Sequence, residues 1–333
     1  MSDESYTGVP IVGSIKSLQP LYPSKYFSVA YWYGTQCAYT CPYCVSGNPP
    51  STDAIPTESI DWRFLLYTVL KTRPVKRMHV YVTGKEPTER TSFIRDMRYL
   101  ASQIGLNYSE DARIIVQTNL QASLEEIIEW SLLLRDAVTF SCTFHGKIGV
   151  QGRREPDIVD FVKKARVLQA VDALDSIKIM EDVSPEEVQH SVDYASHYID
   201  PHRIEVSWVY NPTHRVYVGS KLPYDKGLTK KGLSIVDEEG TKQVSVADLV
   251  AQGKNNFKGL RCAANRYGLC IDTQGRLCTS CGHSLQDSVG VERMLTADNH
   301  HDISTYFNGI DWVICPNTLC CFDSILTPKE TID

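Results

Sequence analysis

The sequence predicts an α/β fold in which helices connect the strands of a parallel sheet. From residue 28 to residue 210, short runs rich in β-branched and aromatic residues alternate with helical patterns. Ser123 and Ser184, each followed by acidic residues, mark two helix starts. The predicted strands are Ser28–Gly34, Arg77–Thr83, Arg113–Thr118, Ala137–Phe144, Ser176–Met180 and Arg203–Val209. The predicted helices are Thr57–Thr72, Thr88–Ile104, Ser123–Arg135, Glu155–Gln169 and Ser184–Tyr198. Six strands alternating with five helices form either a doubly wound sheet or a barrel.

Composition predicts a cytoplasmic protein with one large and one small domain. The chain has 333 residues and a net charge of −6, and its basic runs are too short for a nucleic-acid footprint. It has no apolar stretch long enough to span a membrane, and its first ten residues do not resemble a secretion signal. We therefore expect neither a nucleic acid nor a membrane as a partner. In the cytoplasm, the eleven cysteines indicate metal ligands rather than disulfides.

Three cysteines follow the first predicted strand within eight residues: Cys37, Cys41 and Cys44. Their CxxxC and CxxC intervals bring three thiolates to one 4Fe-4S cluster and leave the fourth iron without a protein ligand nearby. Zinc is the alternative, because CxxC pairs also suit tetrahedral zinc. No further His or Cys lies within about a zinc-finger span on either side. The spacing therefore predicts an iron-sulfur cluster with an open iron.

This motif resembles the radical SAM signature CxxxCxΦC, with Tyr43 at the aromatic position near the cofactor. The resemblance implies that the open iron binds S-adenosylmethionine (SAM). Reduction would then cleave SAM to a 5'-deoxyadenosyl radical that abstracts hydrogen from a substrate. The resemblance also implies a reducing partner such as flavodoxin or ferredoxin. Between the two folds left open above, it favours the partial (βα)6 TIM-like barrel, over residues 28–210.

The segment TGKEPT after the second predicted strand resembles the GGEP segment of the same family. The resemblance implies that Glu86 binds the amino group of SAM and that Gly84 shapes the backbone beside it. Lys85 stands where the family has its second glycine. A plain strand-to-helix turn is the alternative, and it explains Gly84 and Pro87 but not Glu86.

Alternation along the predicted strands indicates which side chains face the barrel interior. In the fourth strand, the polar side carries Ser141, Thr143 and His145, and we expect it to face inward. Barrel sites are built at the carboxyl ends of strands, where these residues lie. The other side chains predicted to face inward are His79, Tyr81, Thr83, Gln117, Asn119, Lys178, Glu205 and Ser207.

Three of the inward residues are predicted to bind the cofactor. Asn119 would contact the ribose or the methionyl carboxylate, or would instead cap the helix that follows it. Ser141 and Thr143 would bind ribose hydroxyls, or would only satisfy the edges of the strands.

Three other inward residues are predicted to be catalytic. His145 would act as an acid or base, or would be a structural loop histidine. Lys178 and Glu205 would hold the substrate, or would form a buried ion pair with each other. Cys142 lies on the apolar side of its strand and is predicted to be a core residue.

The remaining segments are predicted to be an N-terminal extension over residues 1–27, a connector over 211–256 and a cysteine-rich domain over 257–333. The connector is polar and carries at most a short hairpin, in IVDEEGTKQVSV. GLCIDTQGRLCTSC reads as two short strands around a turn at residues 273–275.

Seven cysteines follow the connector, and the region resembles the SPASM and twitch extensions of radical SAM enzymes. The resemblance implies a small β-hairpin/helix domain that holds one or two auxiliary 4Fe-4S clusters. A zinc ribbon is the alternative. The candidate ligands are Cys262, Cys270, Cys278, Cys281, Cys315, Cys320 and Cys321.

Together these features predict a radical SAM oxidoreductase or maturase, with a ribosomally made peptide as the favoured substrate. A small-molecule enzyme, such as one that oxidises an alcohol or modifies a sugar or nucleotide, is the alternative within catalysis. A non-catalytic electron-transfer protein is the alternative of another class. That class predicts no SAM binding.

Overall fold

The structure is a computed structural model that describes residues 10–21, 24–41, 54–73, 75, 77–104, 112–146, 149–150, 157–181, 184–207, 209–211, 216–218, 232–279, 312–315 and 328–332. Its strands are β1 (Ser17–Pro20), β2 (Phe27–Gly34), β3 (Tyr39–Thr40), β4 (Met78–Gly84), β5 (Ala112–Thr118), β6 (Val138–Phe144), β7 (Gly149–Val150), β8 (Leu174–Met180), β9 (Ile204–Ser207), β10 (Val209–Asn211), β11 (Val216–Val218), β12 (Gly232–Asp237), β13 (Gly240–Ser245), β14 (Arg261–Cys262), β15 (Gly268–Ile271), β16 (Leu277–Thr279), β17 (Val313–Ile314) and β18 (Lys329–Glu330). Its helices are α1 (Trp62–Thr72), α2 (Phe93–Gln103), α3 (Leu124–Leu133), α4 (Ile158–Ala170), α5 (Pro185–Ser196), α6 (Val246–Ala251) and α7 (Ala264–Tyr267). Among the described residues, no helix is long and apolar enough to cross a membrane.

The larger sheet confirms the predicted α/β core. Its strand order is β16-β15-β2-β4-β5-β6-β8-β9, and the six strands from β2 to β9 are parallel and follow chain order. When consecutive parallel strands are neighbours, right-handed crossovers place every connecting helix on the same face of the sheet. The sheet is therefore singly wound, as in a partial (βα)6 barrel, and not doubly wound.

The helix starts follow the local sequence signals. Ser123 and Ser184 each form a complete capping box, as predicted. The predicted starts at Thr57 and Thr88 are instead short 3-10 turns that precede α1 and α2. Asp61 caps the true start of α1 by accepting the backbone N–H of Phe64.

The sheet buries one face under the helices. In β6, Phe140, Cys142 and Phe144 belong to the core between the sheet and the helices, as the alternation predicted. Burial raises the pKa of the Cys142 thiol well above its usual value. The opposite face of the same strand carries Ser141 and Thr143 and lines the interior of the barrel.

A second sheet has the order β13-β12-β1-β18-β14-β17 and its own core. The predicted N-terminal extension, connector and cysteine-rich region each contribute strands to it. The charged stretch of the connector forms the β12–β13 hairpin, as predicted, but the expectation of at most a hairpin is wrong, because α6 follows β13 within the same segment.

The hairpin β15–β16 continues the larger sheet, because β15 pairs in parallel with β2. This pairing covers the edge of β2, which would otherwise expose unpaired backbone groups.

Candidate active site at the carboxyl edge of the barrel

The cysteine loop leaves β2 at the carboxyl edge of the sheet. The sulfur of Cys37 accepts the backbone N–H of Tyr39, at 3.3 Å, and the side-chain N–H of Asn119, at 3.6 Å. The backbone N–H of Ala38 donates to Glu89, at 3.1 Å. Cys41 follows in the same loop. Two N–H donors on one sulfur favour its thiolate form, which is the form that binds iron.

Two glycines allow the ends of β2 and β4 to approach each other closely. A Cβ atom on Gly84 would lie 2.7 Å from the carbonyl oxygen of Gly34, and Gly84 has φ +110°. The backbone N–H of Lys85 donates to this same oxygen, and that of Glu86 donates to Gln36. Lys85 itself is not in the left-handed region, so a residue with a side chain is tolerated at this position.

These backbone bonds place Glu86 in the site, where its carboxylate is 1% exposed. One oxygen accepts the hydroxyls of Thr88, at 2.5 Å, and Thr118, at 2.7 Å. It also accepts the backbone N–H of Thr88, at 3.3 Å. The other oxygen accepts the backbone N–H of Asn119, at 2.8 Å. Four donors thus orient the carboxylate.

All the hydrogen-bond partners of Glu86 in the described part of the chain are neutral groups. No cationic side chain forms an ion pair with it among the residues that the structure describes. Burial raises the pKa of Glu86 above its usual value, while the hydrogen bonds oppose that rise. A buried carboxylate that several N–H and O–H groups orient, but that no cation neutralises, can accept the ammonium group of a ligand.

The turn after β5 joins this carboxylate to the cysteine loop. Asn119 bonds to Glu86 through its backbone and to Cys37 through its side chain. The side-chain carbonyl oxygen of Asn119 accepts a hydrogen bond from the backbone N–H of Gln121. The alternative of Asn119 as a helix cap is wrong, because Ser123 caps α3.

Gln121 places an amide beside the cysteine loop. Both polar atoms of this amide are buried, and the amide lies close enough to Tyr39 to affect its pKa. Burial raises the pKa of Tyr39 to about 12, and the nearby groups Cys37, Glu86 and Cys41 add to the rise, whereas Gln121 opposes it. The side chain of Gln121 therefore joins the turn after β5 to Tyr39 of the cysteine loop.

The polar residues predicted to face the barrel interior differ in their exposure and in the hydrogen bonds that they already make. Ser141 is 3% exposed, and its hydroxyl lies 3.0 Å from that of Ser176. Thr83 donates to Gln117 at 2.6 Å. Thr143 is half-buried and lies beside Lys178 in the register of β6 and β8. The hydroxyl of Thr143 is therefore the more accessible of the two predicted ribose contacts.

The predicted catalytic residues lie on three different segments around the interior. Lys178 and Glu205 are directly opposite each other in β8 and β9. No ion pair joins them in the described structure, so the alternative of a mutual ion pair finds no support. His145 follows β6, and its ring lies 6.0 Å from that of Tyr39. The site thus brings His145 to the cysteine loop.

The late cysteines that the structure describes fall into two pairs. Cys270 and Cys278 face each other across the β15–β16 hairpin of the larger sheet. Cys262 and Cys315 lie in the core of the second sheet. Tyr43, Cys44, Cys281, Cys320 and Cys321 lie outside the described residues, and no group of three or more metal-ligating side chains is found within those residues.

The residues around the first cysteine loop suit the cofactors that the signature implies. Cys37 and Cys41 would supply two of the three expected thiolates, and the Cys37 sulfur accepts two N–H groups. The buried Glu86 carboxylate would be a suitable acceptor for the ammonium group of SAM. Sequence reasoning missed Thr88, Thr118 and Gln121; their positions next to Glu86 and Asn119 were the available signal.

No protein-family model and no curated protein matches the chain. It is similar to the solved structure of anSMEcpe with bound AdoMet, with 14% identity over 60% of this chain and 55% of that chain and a TM-score of 0.39. It is also similar to SuiB from Streptococcus suis bound to precursor peptide SuiA, with 10% identity over 86% of this chain and 67% of that chain and a TM-score of 0.43. A third similar structure is HemN, the coproporphyrinogen III oxidase from Escherichia coli described as a radical SAM enzyme, with 10% identity, coverage of 89% and 73%, and a TM-score of 0.41. The matched region thus spans little more than half of the anSMEcpe chain.

Proposed function

We propose that this protein is a radical SAM enzyme. Cys37, Cys41 and Cys44 would hold a 4Fe-4S cluster, and Glu86 would bind the ammonium group of SAM. The observation that carries the proposal is the buried Glu86 carboxylate, which no described cation neutralises and which Asn119 links to Cys37. An electron-transfer protein has no need for such a carboxylate beside its cluster.

The cofactors would supply one-electron cleavage of SAM to methionine and a 5'-deoxyadenosyl radical, which takes a hydrogen atom from the substrate. The electron would come from a reducing partner such as flavodoxin or ferredoxin. The residues of the chain would orient the ligand: Thr118 and Asn119 hold Glu86 by hydrogen bonds, and Thr143 would bind a ribose hydroxyl. His145, whose ring lies near that of Tyr39, would act as an acid or base.

We propose a ribosomally made peptide as the substrate. SuiB, one of the similar structures, is bound to a precursor peptide. The alternative is a compact charged molecule, and a specific observation favours it: Lys178 and Glu205 present opposite charges to the interior without pairing. A peptide substrate predicts that short precursor peptides accelerate the formation of 5'-deoxyadenosine, whereas the alternative predicts acceleration only by small charged molecules.

We also propose that the late cysteines hold one or two auxiliary clusters that transfer electrons or bind the substrate. The two described pairs, Cys270 with Cys278 and Cys262 with Cys315, are compatible with separate sites. If this is right, a protein without the first three cysteines still binds iron.

One experiment tests these proposals together. The protein and a variant with Cys37, Cys41 and Cys44 changed to alanine are reconstituted anaerobically, and iron and 5'-deoxyadenosine are measured after reduction. We expect cleavage of SAM by the wild type only, with about four or eight irons retained in the variant. Cleavage by neither protein, or zinc in place of iron, would contradict the proposed function.

A further inference from the structure

Lys164 is a buried lysine on α4, the helix that follows β7 in the chain. Its side chain is 9% exposed, whereas the neighbouring Lys163 is exposed. A lysine is rarely buried unless partners compensate its charge. The ammonium of Lys164 lies 2.6 Å from the carboxylate of Asp160 and 3.2 Å from the carbonyl oxygen of Leu120. Its charge is therefore directed at the turn after β5.

Leu120 needs this support because its backbone is in the left-handed region, with φ +53°. That conformation is unfavourable for a residue with a Cβ atom. The side chain of Leu120 is buried in the core, and its backbone N–H donates to the hydroxyl of Thr118 at 3.1 Å. Lys164 binds the carbonyl of the same residue. The turn is thus held on both sides of Leu120.

The two residues before Leu120 make the hydrogen bonds that join this turn to Glu86 and Cys37. Thr118 donates its hydroxyl to Glu86, and Asn119 donates to Glu86 and to Cys37. A change in the backbone at Leu120 would therefore move the donors that orient the Glu86 carboxylate.

We propose that Lys164 is a positioning residue for the binding of SAM. It fixes the left-handed turn at Leu120, and the turn holds Glu86 ready for the ammonium group of the ligand. Lys164 itself contacts neither the carboxylate nor the cysteine loop among its described bonds. This inference rests on the proposed function, because it assigns Glu86 to the ammonium of SAM.

The test compares Lys164→Met, which keeps the unbranched side chain up to the ε position but removes the ammonium group, with Lys164→Arg and Lys163→Met. Each protein is reconstituted anaerobically, and three quantities are measured: the Kd for SAM without reductant, the iron content and the Tm. We expect Lys164→Met to weaken SAM binding about tenfold, or about 1.4 kcal/mol, with unchanged iron content. Lys164→Arg should restore most of the affinity, and Lys163→Met should match the wild type.

Unchanged SAM affinity in Lys164→Met, with only a lower Tm, would show a purely structural role and overturn the inference. Parallel loss of iron would also overturn it, because the effect would not be specific to SAM. If the wild type binds iron but not SAM, the proposed function fails and the inference fails with it. Should Lys164→Met not fold, Lys164→Gln takes its place, because its neutral amide ends one atom short of the lysine nitrogen that reaches Leu120, and the same outcomes apply to it.

Discussion

Replacing Glu86 by glutamine should weaken SAM binding while the fold is kept. The substitution removes the negative charge and changes one carboxylate oxygen to an amide nitrogen. A hydrogen bond between charged groups contributes about 1.5–3 kcal/mol, so the Kd for SAM should rise roughly tenfold to a hundredfold. This loss reflects the ammonium contact alone, because the other partners of Glu86 belong to the protein.

The structure indicates why the fold should survive. The hydroxyls of Thr88 and Thr118 can rotate and accept a hydrogen bond from the new amide. The backbone N–H of Asn119 cannot, so the glutamine oxygen should face Asn119. The bond from the backbone N–H of Thr88 would be lost, at a cost of about 0.5–1.5 kcal/mol.

The same substitution should change how stability depends on pH. Burial raises the pKa of Glu86 in the folded protein, so the folded state holds this proton more tightly than the unfolded chain. Its contribution to stability is then complete below the unfolded pKa and is lost as the pH rises through the folded pKa. The free energy of unfolding of the wild type, relative to Glu86→Gln, should therefore fall as the pH rises.

The assay is isothermal titration of reconstituted protein with SAM under anaerobic conditions, combined with denaturant unfolding at several pH values. Glu129→Gln is the matched control, because Glu129 is exposed on α3. Wild-type affinity in Glu86→Gln would refute the assignment of this carboxylate to the ammonium of SAM. A relative stability that rises with pH would refute the electrostatic reasoning.

Three further predictions concern the framework of the site. Gly84→Ala should lower the Tm more than Gly240→Ala. The two glycines have similar φ values of +110° and +119°, but only at Gly84 would a Cβ atom meet backbone atoms, those of Gly34. Equal decreases in Tm would exclude the close approach of Gly84 to Gly34 as the cause. Burial, and then the charges of Arg113 and Arg77, lower the pKa of His79 to about 4. Between about pH 6.5 and pH 4 the unfolded chain therefore binds more protons than the folded protein, and the wild type loses stability there as the pH falls. His79→Phe keeps an aromatic ring against Tyr26. Its free energy of unfolding in urea should fall less between pH 7 and pH 5 than that of the wild type, and an equal fall in both proteins would contradict the prediction. Cys142→Ala should lower the free energy of unfolding by about 1 kcal/mol. It should not change the formation of 5'-deoxyadenosine, because the thiol is buried in the core between the sheet and the helices. Loss of that product would indicate a catalytic thiol.

The parallel core was predictable because its signals are local. Each strand is a short run rich in β-branched or aromatic residues, and the capping boxes at Ser123 and Ser184 mark the starts of α3 and α5. Chain order then determines the neighbours, since the helical connections are short. The interior face of β6 was readable from the alternation around Cys142, because one face of the sheet is buried under the helices.

The rest depends on contacts between residues far apart in the chain. The partners of β1 are β12 and β18, both more than two hundred residues later, and no local pattern encodes these pairings. Likewise, Lys164 appears in the sequence as an ordinary helical residue, and only its 3.2 Å contact with Leu120 connects it to the site. Glu86 was found through a motif, but its hydrogen-bond partners required coordinates.

The central claim is that a cluster held by Cys37, Cys41 and Cys44 has an iron that SAM can reach. Electron paramagnetic resonance of the anaerobically reduced protein, recorded before and after the addition of SAM, tests it most directly. We expect a reduced-cluster signal that SAM changes and that is missing from the variant with these three cysteines replaced by alanine. A signal that SAM does not alter, or one that persists in the variant and still responds to SAM, would contradict the claim.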